Sequence, residues 1–238
     1  MPAKKKAVVK KKDDQLPSYM KQDSNRGSEN VTSQDVMLPR IDIIQDMSPQ
    51  HKKSKPEYIE GAEVGMLFNT LTEELYPDGI HVVPIYFEKL YLAWVDRDSG
   101  GGLIGIFTDP TEAQQAAEAN EKLAEAIETP THVVLLVDDD GNPVGEATIP
   151  MSKSKMKVSR TWNSLVRING GDRFTRQYRI IVVDDKADKG EDYKYKVQLE
   201  GFATEPAYEQ AEDLYESIAS GATTIRADYG KDGKEGDF

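Results

Sequence analysis

Residues 132–168 read HVVLLVDDDGNPVGEATIPMSKSKMKVSRTWNSLVRI, and the fold is decided there because the periodicity changes partway along. HVVLLV (132–137) and PVGEATIPM (143–151) are strand-like runs on either side of DDDGN, whose Asp-Gly and Asn tolerate the positive φ of a tight hairpin. From Met151 onward the spacing becomes helical. Wound at about 100° per residue, Lys153, Lys157, Arg160, Ser164 and Arg167 fall on one stripe, and Val158, Trp162, Leu165 and Val166 fall opposite. Ser152 is the expected N-cap and Gly170-Gly171 the expected stop. One face is thus built to dock on a core while the other presents positive charge.

Downstream, RFTRQYRIIVVDD (173–185) and EDYKYKVQLEGF (191–202) predict a second hairpin around KADKG. PAYEQAEDLYESIAS (206–220) predicts an amphipathic helix with Tyr208, Ala211, Leu214, Tyr215 and Ile218 on one side. Upstream, LPRIDIIQDM holds a short first strand, and residues 64–68 and 80–94 are β-rich, separated by the turn at Pro77-Asp78-Gly79. Pro84 inside the longer run implies an edge, a bulge or a break. DPTEAQQAAEANEKLAEAIET (109–129) reads as one alanine-rich helix with Asp109 or Thr111 as cap and Pro130 as terminator. Residues 1–36 are lysine-rich and then polar, as in a disordered arm, and the chain beyond Gly221 is tail-like. The expected architecture is β-rich α+β: a partly open antiparallel barrel, OB-like, with inserted helices and disordered termini. Its divisions are an arm (1–36), a central domain (37–204), a C-terminal helix (205–220) and an acidic tail (221–238).

The net charge of -12 over 238 residues is unevenly spread. Residues 109–150 carry ten acids and one lysine, whereas 151–179 carry eight Lys or Arg against Asp172 alone. A basic island in an acidic chain points to an anionic partner more sharply than the global balance does. Cysteine is absent, which excludes disulfides and thiolate metal sites and fits a cytoplasmic setting. No apolar run approaches the length of a membrane span.

Catalysis finds little support. His51, His81 and His132 show no metal-ligand spacing, and the SGGG at 99–102 lacks the Lys-Ser/Thr of a phosphate loop. Asp138 to Asn142 begins like a calcium loop, but the position that needs a glutamate is Ile149, so it reads as a turn. The chain is therefore expected to be no enzyme and to need no metal or cofactor. Single-stranded nucleic acid is held by a positive groove with aromatic faces for stacking. Phe174 and Tyr178 share a strand face with Arg176, and Tyr193 and Tyr195 share a face of the partner strand. Paired in register, they form an aromatic platform rimmed by Arg176, Arg179 and the helix cations Lys153, Lys157, Arg160 and Arg167. The competing reading places these aromatics in the core. Tyr86, Phe87, Tyr91 and Trp94, with Lys89 and Arg97, form a second cluster of the same kind.

The cysteine-free β-rich chain, PMSKSKMKVSRTWNSL, PRIDIIQ, GMLFNTLTEELY and the terminal Asp237-Phe238 together resemble the single-stranded DNA-binding proteins of tailed phages. That resemblance implies an OB-fold that coats single strands in replication and recombination. It also implies a C-terminal tail, with Asp237 and Phe238 at its tip, that recruits polymerase, helicase or primase, and a homodimer is compatible with it. Lys231 and Lys234 dilute this tail, and the basic N-terminal arm departs from the pattern. The alternative is a phage virion or assembly protein, which is also β-rich and cysteine-poor.

Overall fold

The computed structural model describes residues 27–31, 36–187, 190–223, 225 and 229. The arm 1–26 and the tip Asp237-Phe238 lie outside them. In chain order the strands before the first helix are β1 (Ile41–Ile43), β2 (Leu67–Asn69), β3 (Leu75–Tyr76), β4 (Ile80–Val95) and β5 (Leu103–Phe107). Helix α1 (Pro110–Glu118) follows, then β6 (Ala124–Val137), β7 (Pro143–Pro150) and α2 (Met156–Asn169). The chain continues through β8 (Arg176–Ala187), β9 (Gly190–Phe202) and α3 (Glu205–Ala219).

The long β4 is the spine. It pairs antiparallel with β6 from His81↔Val137 to Val95↔Ala124, while its other edge takes β8 at Ile80–Val82 and β5 at Tyr91–Trp94. The main sheet runs β7-β6-β4-β8-β9, and β1-β2-β3 form a second, smaller antiparallel sheet. Pro84 sits at a register shift in the β4–β6 ladder, the bulge option among those its sequence allowed. The edge strands β7 and β9 do not pair, so no barrel closes. The segment around β1 bridges them instead. On one side Arg40 and Thr148 form a parallel bridge and Thr148 N donates to Pro39 O at 2.8 Å. On the other, Gln45 Nε2 donates to Tyr193 O at 3.0 Å and Tyr195 Oη donates to Ile41 O at 3.1 Å.

Three helices, among the described residues, cover the sheet. The buried stripe of α2 enters the main core, where Trp162 meets Ile149, Tyr178 and Tyr195, with Val158, Leu165 and Val166 half-buried beside it. Gly170, at φ 66°, ends the helix as expected. The opposite sheet face, with Val83, Ile85, Leu135 and Val137, receives Ala207 and Ala211 of α3. Helix α1 lies over the far ends of β4, β5 and β6 through Ala113 and Ala117. Tyr229, beyond α3, closes a patch of Leu90, Leu92 and Trp94.

Two elements differ from their readings. Ser152 does not cap α2, because it precedes the 3-10 turn Lys153–Lys155 and makes no capping hydrogen bond, so the α-helix begins at Met156. The second difference concerns 109–129. The helix expected over 109–129 stops at Glu118, and Leu123 and Ile127 belong to the turn and strand that follow. Asp109 caps α1 by accepting from Thr111 N and Glu112 N, but Asn120 breaks the run with an Asx turn to Lys122 N at 2.9 Å. The exposed backbone of β4 then recruits 124–129 as a strand, overriding alanine-rich helix propensity. Pro130 is no terminator. It sits inside β6 where β7 has already ended, and its carbonyl accepts from Met151 N at 2.8 Å, so its missing N–H faces no strand partner.

The main core also contains charge. Asp42 lies 3.2 Å from Lys155 Nζ and 3.6 Å from Arg40 Nη2, and the Lys155 ammonium rests over the Tyr195 ring. Burial pushes the Asp42 carboxyl up, but Lys155, Arg40 and the Ile43 N–H outweigh it and hold the group below the usual carboxylate range. Removing the anion leaves the buried Lys155 ammonium without its carboxylate. Asp42→Ala is expected to cost about 3–5 kcal/mol in denaturant unfolding at neutral pH; a loss below about 1 kcal/mol, typical of surface pairs, would show that the cluster does not tie β1 to the start of α2.

Candidate nucleic-acid interface

The exposed stripe of α2 is a concentrated positive surface in an acidic chain. Lys157, Arg160 and Arg167 are exposed and make no ion pair among the described residues. Thr161 and Ser164 lie between them, each hydroxyl donating back to the carbonyl four residues earlier. Lys157 and Arg167 are ten positions apart, about 15 Å along a helix. Lys153 departs from this group: it sits in the 3-10 turn before α2 and its ammonium is 2.9 Å from Glu125.

The aromatic platform does not assemble on the surface. Tyr178 is fully buried, edge-on to Trp162 at 5.8 Å. Tyr195 is buried with its hydroxyl on Ile41 O, and Phe174 is buried on the other face of the sheet against Tyr208 and Tyr215. Tyr193 is half-buried over Gly65, with its backbone held by Gln45. The second cluster divides similarly: Trp94 is buried, and Phe87 lies against the His132 ring at 5.0 Å. Tyr178 and Tyr195 fill the core beneath α2 and Phe174 the core beneath α3, which is the core alternative. A ring with no exposed face offers none to a base.

Arg176 and Arg179 flank this core from outside. Arg179 Nη2 donates to Asp78 O at 2.9 Å and so secures the Pro77-Asp78-Gly79 turn. Gly79 is required there, because its φ is 92° and a Cβ would collide with the Ile180 carbonyl oxygen. The Arg176 guanidinium lies 3.6 Å over the centroid of Phe202, which is 73% exposed. Phe202 was hidden from sequence reasoning because it ends a strand just after Gly201, where the alternation gives no direction.

A buried polar network fixes how α2 sits. His132 stacks on Trp162 at 4.4 Å between ring centroids and 16° between planes. Arg173 Nη2 is 2.7 Å from His132 Nδ1, and its Nη1 donates to Asn163 Oδ1 at 2.9 Å. Since a guanidinium can only donate, His132 Nδ1 accepts and its Nε2–H donates to Ser159 Oγ at 2.8 Å. Burial, reinforced by Arg173, holds the His132 pKa well below the usual imidazole range. Burial also brings Arg173 down to about 10, leaving it charged at neutral pH. Among the described residues no group of three or more His, Asp or Glu could hold a metal ion, and no helix is long and apolar enough to cross a membrane. The Asp138 carboxylate closes the β6–β7 turn by accepting from Asp140 N and Asn142 N.

The profile of the Pam3 phage gp34-like protein family matches residues 8–224. The chain matches no curated protein and no solved structure.

The network has a pH signature. His132 stays neutral in the fold, whereas an unfolded histidine binds a proton below about pH 6.5. Stability is therefore expected to fall as pH drops below that value, at about 1.4 kcal/mol per pH unit until the folded pKa is reached. His132→Gln, whose amide can accept from Arg173 and donate to Ser159, should show a shallower loss between pH 7.5 and pH 5. Equal slopes in thermal unfolding of the two proteins would remove His132 as the source.

Proposed function

The chain belongs to the Pam3 phage gp34-like protein family, and we propose that it binds single-stranded DNA without sequence preference, in phage replication or recombination. The observation that carries this reading is the α2 stripe: Lys157, Arg160 and Arg167 exposed together, without carboxylate partners among the described residues, on a protein of net charge -12. Lys153 and Lys89 pair with Glu125 and Glu128, while other surface cations among the described residues, Lys53 and Lys55 included, do not pair. Three that do not, on one rigid helix face, suit a row of phosphates. The helix is held beneath by Trp162 and the His132–Arg173 network, so the stripe is ordered before a ligand arrives. The buried tyrosines serve this role by shaping the core, and affinity rests mainly on phosphate contacts. In the same reading the chain is a binding protein without a cofactor and works in the cytoplasm of the infected host. The tail tip Asp237-Phe238 then serves to recruit replication partners.

Fluorescence anisotropy of a labelled dT oligonucleotide of about 30 nucleotides, longer than one OB-fold site, tests the proposal. Binding should weaken with salt, with a log–log slope of about -2 for three phosphates neutralised on a single strand. Each of Lys157→Ala, Arg160→Ala and Arg167→Ala should reduce the slope by about 0.7, and Lys157→Glu/Arg160→Glu/Arg167→Glu together should abolish binding with circular dichroism unchanged. Absence of binding at low salt, together with large particles in light scattering, would favour the assembly role instead.

A further inference from the structure

The surface offers one aromatic that the buried platform does not. Phe202 ends β9 directly opposite Arg176, the first residue of β8. One pair further on, after Gln177↔Gly201, the ladder shifts register, between Gln177 and Tyr178. A bulge re-aims the side chains on either side of it. Tyr178, inside the shift, is fully buried, whereas Phe202, outside it, is 73% exposed. The pair is held firmly, because Ala203 N donates to Thr175 O at 3.1 Å and Thr175 Oγ1 donates to Asp172 O at 2.9 Å.

The arrangement around the ring is specific. The Arg176 guanidinium covers one face at 3.6 Å from the centroid. The guanidinium makes no ion pair among the described residues, and its Nε has no hydrogen-bond partner. Glu200, the nearest carboxylate along the strand, is engaged elsewhere, by His81 Nδ1 at 2.7 Å and Gln177 Nε2 at 3.1 Å. Arg176 is the one cation over the ring among the described residues, and the ring is otherwise 73% exposed. A Cβ at the neighbouring Gly201 would meet nothing within 4 Å, which leaves room for a base on the side away from Arg176. A solvent-exposed aromatic with a cation on one side and free space on the other is a stacking surface with a phosphate donor attached.

Resting on the reading of the previous subsection, we propose that Phe202 and Arg176 form a base-stacking site that gives this protein its preference for unpaired strands. An unpaired base lies on the open face of Phe202, and the N–H edge of Arg176 meets the phosphate beside it. In a duplex both faces of each base are occupied by its neighbours, so only a single strand can supply this contact. The segment 170–175 joins the end of α2 to Arg176, so Arg167 and Arg176 are nine positions apart in the chain. Arg176 adds one phosphate contact to the three on α2, and with it about 0.7 to the magnitude of the salt slope, while Phe202 sets the selectivity.

The test uses the full chain with dT30 and a duplex of the same length. Phe202→Ala should weaken dT30 binding on the order of 5- to 150-fold, leave the salt slope unchanged and reduce the single-strand over duplex ratio. Phe202→Trp should retain affinity, and its emission should be quenched by saturating dT30. The native tryptophans, Trp94 and Trp162, are both buried and give a steady background. Arg176→Gln should lower both affinity and the salt slope. Wild-type binding of dT30 with unchanged affinity in Phe202→Ala, or no quenching in Phe202→Trp, would overturn the stacking site and leave the phosphate-binding reading intact. Failure of the wild type to bind dT30 at low salt would overturn both.

Discussion

The stack of Trp162 on His132 is the contact on which the orientation of α2 depends. Trp162 enters the main core from the helix, and His132 rises from the middle of β6 to meet it. Burying an indole this large is worth several kcal/mol by itself, but apolar area has no direction. The direction comes from the polar groups: Ser159 on one imidazole nitrogen, Arg173 on the other, and Asn163 on the far side of the guanidinium. Together they fix rotation about the helix axis. The same rotation turns Lys157, Arg160 and Arg167 outward, so the core and the charged surface are two readings of one constraint.

The Asp42–Lys155–Arg40 cluster performs the corresponding task at the start of α2. A buried ion pair is seldom stabilising relative to well-packed apolar side chains, because both charges lose their water. Its retention here fits a positioning role. It binds β1, which bridges the two sheet edges without closing them, to the turn that launches the helix. An apolar substitute would hold these elements together with no preferred register between them.

Much of this was legible in the sequence where period and punctuation agreed. The two hairpins, α3 and the two-faced α2 follow from alternation, from helical spacing and from turns such as Asp138–Asn142. Residues 119–129 were misread because alanine and glutamate favour a helix, and only the unpaired edge of β4, far away in sequence, makes them a strand. The aromatic strand residues presented a real ambiguity, since period two says which side chains share a face but not whether that face is covered. Lys155 offered a signal that charge obscured. At the helical angle of about 100° per residue it falls within about 20° of Trp162, on the buried stripe, so a partner such as Asp42 was required.

For the proposed role, an acidic protein that holds a polyanion must separate long-range from contact electrostatics. At physiological ionic strength the Debye length is about 8 Å, so acids farther away than that contribute little repulsion at the contact. Six of the ten acids in residues 109–150 lie between Asp109 and Glu128, where α1 covers the far ends of β4 to β6, while α2 packs on the part of β6 that carries His132. The other four, Asp138, Asp139, Asp140 and Glu146, are on the β6–β7 hairpin, whose Gly141 meets Thr204. The nearer Glu125 and Glu128 are each neutralised by a lysine. Repulsion of this kind disfavours loose, unspecific contact with duplex more than it disfavours seated binding, where phosphates touch cations directly. For the proposed role, the acidic remainder of the chain and the stripe on α2 are therefore complementary: one suppresses weak encounters, and the other admits the strand that can also reach the open face of Phe202.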